Sequence, residues 1–135
     1  GSNPGYTDLM MEIVPPAAME LGYAPDCWFS PDSTGGMGRP YPYMVFKNME
    51  ALKISSTGKV MKVGDTVSDI LEGKNAGMFT IVILEGSSVM ELSLEEYESL
   101  PQEEQEKQRE QAKKKFEEAG ADAVVRDIRG ILEYI

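Results

Sequence analysis

The run Met78-Phe79-Thr80-Ile81-Val82-Ile83-Leu84 constrains this chain more than any other segment. It is nearly continuous in apolar and β-branched residues and lacks the alternation of a strand with one face in water. A strand of this kind is covered on both faces, the usual condition of a parallel sheet in an α/β protein. It follows directly on Gly77, a residue suited to ending a helix.

Extending outward from this strand gives alternation. A helix is expected over Thr66 to Ala76, preceded by a strand over Lys59 to Val63 that ends at Gly64-Asp65. Pro42 to Leu52 predicts a helix, with Pro42 in the first turn. Tyr6 to Leu21 predicts another, interrupted at Pro15-Pro16, and Cys27-Trp28-Phe29 a short buried strand. Ser30 to Pro42, dense in Gly, Pro, Ser and Asp, is a loop. Residues 93–119 predict an acidic surface helical segment that opens on a Ser93/Glu96 capping box and restarts at Pro101. Ala121 to Val125 predicts a last strand, and Asp127 to Tyr134 a closing helix with Ile128, Ile131 and Leu132 turned inward. Strand–helix alternation with short links implies an α/β class with a parallel sheet flanked by helices. Residues 1–135 are expected to form a single domain.

Composition narrows the chemistry. The 135 residues contain no histidine and one cysteine, Cys27. Histidine-based triads, histidine metal ligands, cysteine-rich zinc sites and internal disulfides are therefore excluded within this sequence. The net charge of −10 argues against duplex nucleic acid or an anionic membrane as partner. No apolar run has the length of a membrane span and the start lacks a signal-peptide pattern, so a cytoplasmic location is expected. The available chemistry uses carboxylates, Lys/Arg, hydroxyls, backbone amides or a hard, oxygen-loving metal.

In parallel sheets the functional groups collect at the carboxyl ends of the strands. Three segments fit that rule. Gly64-Asp65-Thr66-Val67-Ser68-Asp69 puts two carboxylates one helical turn apart where an apolar strand feeds a helix. Paired carboxylates without histidine suit Mg²⁺; the same pattern also suits a helix cap with a solvated second aspartate. Gly35-Gly36-Met37-Gly38-Arg39-Pro40 offers bare backbone amides and a planar cation matched to phosphate oxygens, or else a flexible loop with an exposed arginine. Gly1-Ser2-Asn3-Pro4-Gly5-Tyr6 lies before a helix start, where Ser2 or Asn3 could donate to a phosphate; Gly1-Ser2 is also what an expression tag leaves. Lys62, between Met61 and Val63, reads more simply as a snorkelling or edge lysine than as a perturbed one.

Taken in order, Gly1-Ser2-Asn3-Pro4-Gly5-Tyr6-Thr7, Gly38-Arg39-Pro40-Tyr41-Pro42-Tyr43-Met44, Lys62-Val63-Gly64-Asp65-Thr66-Val67-Ser68-Asp69 and Glu72-Gly73-Lys74-Asn75-Ala76-Gly77-Met78 resemble the phosphonoacetaldehyde hydrolases (phosphonatases) of the haloacid dehalogenase superfamily. The resemblance covers nearly the whole chain and weakens after about Glu91. It implies a Rossmann-like core with a helical cap, a nucleophilic aspartate on the first core strand, a cap lysine that forms a Schiff base, and a requirement for Mg²⁺. The reaction it implies cleaves the C–P bond of phosphonoacetaldehyde to acetaldehyde and phosphate. On the matching positions Asp65 would be the metal ligand and Asp69 the second acidic residue ordering the site. Arg39 would hold the phosphoryl group, and Ser2 or Asn3 would take the hydroxyl phosphate-binding role. Arg39 and Asp69 would thus be the catalytic residues this chain supplies.

The D-x-x-G-T-like nucleophile motif has no counterpart here: the aspartates are Asp8, Asp26, Asp32, Asp65, Asp69, Asp122 and Asp127, and none has that context. The chain is expected to be an incomplete core domain, resembling the C-terminal half of such an enzyme without its nucleophile strand and cap. The strand before Asp65 should then have an open side, filled by the missing N-terminal half or by a second copy. The isolated chain should be inactive, and its parent a homodimer. Another phosphatase of the superfamily, or a non-catalytic interaction module on the same scaffold, are the alternatives.

Overall fold

The computed structural model describes residues 26–85, 87 and 92–135. The expected helix at Tyr6 to Leu21 lies outside them. Three parallel strands form the sheet: β1 (Met61–Gly64), β2 (Phe79–Ile83) and β3 (Ala123–Val125), in the order β1-β2-β3. Met61 stands opposite Phe79 and Gly64 opposite Val82; Ile81 stands opposite Ala123 and Ile83 opposite Val125. Helices α1 (Tyr43–Ala51) and α2 (Val67–Asn75) flank β1 in the chain, and α3 (Leu94–Glu98) and α4 (Gln102–Glu118) link β2 to β3.

β2 is central, as its composition requires. Neighbouring residues Ile81 and Val82 point to opposite faces, and both are fully buried. Val82 joins Ile70 of α2, Tyr97 of α3 and Ala112 and Phe116 of α4 in one cluster. Val45 of α1 packs with Ala76 and Met78 in a second, beneath the start of β2. Only Ala112 and Phe116, one helical turn apart, are buried along the 17 residues of α4. Its first turns are solvated, as their polar sequence implies. At its C-terminal end, Asp122 accepts from Thr80 N at 2.8 Å and from Lys74 Nζ, tying β3 to β2 and α2.

Local chemistry sets the boundaries. Thr66 and Asp69 form a reciprocal capping box at the start of α2, and Ser93 and Glu96 another at α3. Gly77 follows α2 at φ 73°, a left-handed conformation that glycine adopts without strain.

Four expectations need correction. Cys27 to Phe29 forms no strand; Phe29 is an isolated bridge and the segment is only half-buried. The strand expected from Lys59 begins at Met61, because Ser56 caps a 3-10 turn over Thr57–Lys59. The loop of residues 30–42 contains a 3-10 turn, Pro31–Thr34. The closing segment Ile128–Tyr134 is 3-10, not α, and of Ile128, Ile131 and Leu132 only Ile131 is half-buried. A Cβ on Gly130 would overlap the Val125 side chain, so the glycine faces the sheet, while Ile128 and Leu132 are 68% and 72% exposed.

Candidate active site

Gly64 carries the chain off the end of β1, and a Cβ there would overlap the Asp69 carboxylate. Because glycine stands at this position, the first turn of α2 folds back against the strand tip. Asp69 Oδ2 accepts from the backbone amides of Asp65 (3.2 Å) and Thr66 (3.1 Å) and from the Thr66 hydroxyl (2.8 Å). Its other oxygen, Oδ1, lies 2.7 Å from Arg39 Nη1 and 3.2 Å from Lys62 Nζ. Burial pushes the Asp69 carboxyl up, and Lys62, the Thr66 hydroxyl and Arg39 together outweigh it, holding the group below the usual carboxylate range.

Lys62 continues the chain of charges. Its Nζ is 2.5 Å from Oε1 of Glu72, a residue with no exposed surface. Asp69 and Glu72 are three residues apart on α2 and so share the face turned to β1. The order Arg39, Asp69, Lys62, Glu72 alternates in sign. Of the two simpler sequence views of Lys62, the edge lysine holds, since β1 is an edge strand among the described residues, and the snorkelling one does not: its side chain is 13% exposed and bound by two carboxylates. Glu72 belongs to one of the blocks that carry the family resemblance, but the sequence assigns it no role. The signal that could have found both is a cation on a strand followed ten residues later by an acid on the inward face of the next helix.

Arg39, Lys62, Asp65 and Asp69 line a groove of about 480 Å³ along β1. Its other wall is apolar, with Val45, Met49 and Leu52 of α1 and the segment after it. Among the described residues β1 pairs with β2 alone, so the groove follows an open strand edge. Asp65 is exposed at the strand tip, and its carboxylate has no hydrogen bond or ion pair among the described residues.

The structure thus brings Arg39, Asp65 and Asp69 together, while Ser2 and Asn3 lie outside the described residues. The solvated second aspartate is excluded, since Asp69 is 6% exposed. Three of the amides in the glycine loop are not bare; those of Gly38 and Arg39 have no hydrogen bond among the described residues. Gly35 N, Gly36 N and Met37 N donate to the carbonyls of Asp32, Pro31 and Thr34, closing the 3-10 turn on itself. Only the arginine of that segment reaches the site.

A parallel α/β sheet with acidic and basic side chains gathered at a strand's carboxyl end defines the class of α/β proteins that bind ligands at the strand tips. The chain belongs to the haloacid dehalogenase-like hydrolases: the HAD-hydrolase-like family matches residues 36–130. It is 47% identical over 131 residues to a phosphonoacetaldehyde hydrolase of Lysinibacillus sphaericus, covering 97% of this chain and 49% of that protein. It is 46% identical over 125 residues to a bifunctional phosphonoacetaldehyde hydrolase/aminoethylphosphonate transaminase of Clostridioides difficile, covering 93% of this chain and 20% of that one. The crystal structure of a phosphonoacetaldehyde hydrolase-like protein from Oleispira antarctica superposes with a TM-score of 0.87 at 30% identity, over 99% of this chain and 48% of that one. The chain spans about half the length of the phosphonoacetaldehyde hydrolases it matches. Among the described residues no helix is long and apolar enough to cross a membrane.

Proposed function

We propose that this chain supplies the phosphate- and Mg²⁺-binding part of a phosphonoacetaldehyde hydrolase, which converts phosphonoacetaldehyde and water to acetaldehyde and phosphate. One observation carries the reading beyond family membership: Arg39 is held on Asp69 at 2.7 Å, beside an uncommitted Asp65 carboxylate, in one groove. Arg39 binds the phosphoryl oxygens. Asp69 fixes Arg39 and, through its other oxygen, the backbone that carries Asp65.

The donor chemistry fits Mg²⁺. Asp69 already has partners on both oxygens, whereas Asp65 has none among the described residues. A single free carboxylate with water and substrate oxygens is an ordinary Mg²⁺ set. Among the described residues no three acidic or cysteine side chains cluster for a cation, so the remaining ligands come from elsewhere. When bound, Mg²⁺ neutralises charge on the phosphoryl oxygens.

The attacking carboxylate and the Schiff-base lysine are contributed by the N-terminal half of the enzyme, seated along the edge of β1 that is open among the described residues; a second copy would cover that edge but bring neither group. The decisive experiment mixes this chain with the N-terminal half of the Lysinibacillus sphaericus relative and follows Mg²⁺-dependent acetaldehyde release. The mixture should turn over and the chain alone should not. Release by the chain alone would show that these residues contain the full machinery; a silent mixture would sink the proposed activity.

A further inference from the structure

We propose that Lys62 and Glu72 are positioning residues that set the direction of the Arg39 guanidinium through Asp69. The proposal rests on Arg39 as the phosphoryl clamp and extends it inward to residues that touch no substrate.

Glu72 has no exposed surface, and its Oε2 has no partner among the described residues. Its whole polar engagement is one contact, Oε1 to Lys62 Nζ. Stability is a poor reason for such a pair, because apolar residues of similar volume serve a core as well or better. The helix does not need Glu72 either, since Thr66 and Asp69 cap it.

The geometry supplies a different reason. Arg39 Nη1 and Lys62 Nζ face the same oxygen of Asp69, at 2.7 and 3.2 Å. Two cations on one oxygen repel each other. Glu72 draws the ammonium to its own side and leaves Asp69 Oδ1 chiefly to the guanidinium. Arg39 then spends a single nitrogen, Nη1, on Asp69 and Thr66. Its Nε is buried without a partner among the described residues. A guanidinium anchored by one nitrogen keeps Nη2 for an oxyanion, while the buried Nε reports the direction of the group. Gly73 makes the arrangement possible: a Cβ there would meet Thr80 and press the Lys62 stem, 3.0 Å away at Cγ.

The test reads Arg39 directly. The ¹⁵N-labelled chain is followed at the Arg39 Nε–H resonance, assigned by its loss in Arg39→Lys, and inorganic phosphate is titrated with Mg²⁺ present. Glu72→Gln keeps the shape and removes the charge. It should move the Arg39 resonance, spare backbone amides remote from the groove, and weaken phosphate binding about 10-fold, as loss of an outer-shell partner does at metal ligands. Lys62→Arg keeps the cation and should keep the parent resonance. Should Glu72→Gln fail to fold, Glu72→Asp keeps the charge but shortens its reach to the ammonium, and should move the same resonance. An unmoved Arg39 resonance in the folded variant would overturn the proposal. A parent chain that binds no phosphate while the resonance moves would instead remove the clamp and leave the positioning role standing.

Discussion

Asp69 shows how much one carboxylate can join. It caps α2, holds the backbone of Asp65 and Thr66, and pairs with two cations from separate stretches of chain. Replacing it with alanine strands Arg39 in a mostly buried place, while Lys62 keeps Glu72. Loss of one partner from such a cluster costs about 3–5 kcal/mol, and urea unfolding of Asp69→Ala should show a loss of that order. Asp122 offers a second prediction, in acid. Burial raises its carboxyl, and the Lys74 and Thr80 contacts outweigh this, so its folded value lies below 3.8. A depressed folded value contributes stability above the unfolded one and loses it as pH falls through the folded one. The stability gap between the parent and Asp122→Asn should thus be full at neutral pH and close below about pH 3.8, as read from unfolding midpoints across the acid range. Asp65 and Asp69 were legible as a pair because four residues bring two side chains to one end of a helix. Lys62 and Glu72 were not, because strand and helix phases must both be known before they can be seen to meet.

The elements were legible where one period dominated. β2 declared itself by an unbroken apolar run, and α2 by Thr66 at one end and Gly77 at the other. The 3-10 segments were missed because a three-residue period over three to seven residues leaves no pattern distinct from a loop or a short α-helix. In the closing segment this shifted the inward face, so that Gly130 and Ile131 lie inward and Ile128 and Leu132 outward. The seating of α2 on β1 and β2 depends on Gly73. Gly73→Ala would gain helix propensity, yet its methyl group would meet Thr80 and the Lys62 stem. Overpacking of this kind costs about 1–3 kcal/mol against less than 1 gained, so the variant should be less stable in denaturant. Thr66→Ala should cost about 1–2 kcal/mol through loss of the cap, and Thr66→Ser should recover most of it.

At the scale of the molecule, β1 pairs with β2 alone among the described residues. Val63, at 36% exposure, sits on β1. Val63→Lys should change the stability of the chain by no more than about 0.5 kcal/mol, as surface replacements do. It should abolish association with an N-terminal half, measured by sedimentation, because a charge on an edge strand discourages pairing. The oligomeric arrangement was not legible, since it depends on surfaces that no periodicity records. The strand order β1-β2-β3 runs in the same sense as the sequence. Each strand is therefore laid against one already synthesised, and no later segment has to be threaded between earlier ones. A ribosome releasing this polypeptide can let the sheet assemble in step with translation, with the Asp65 rim built first.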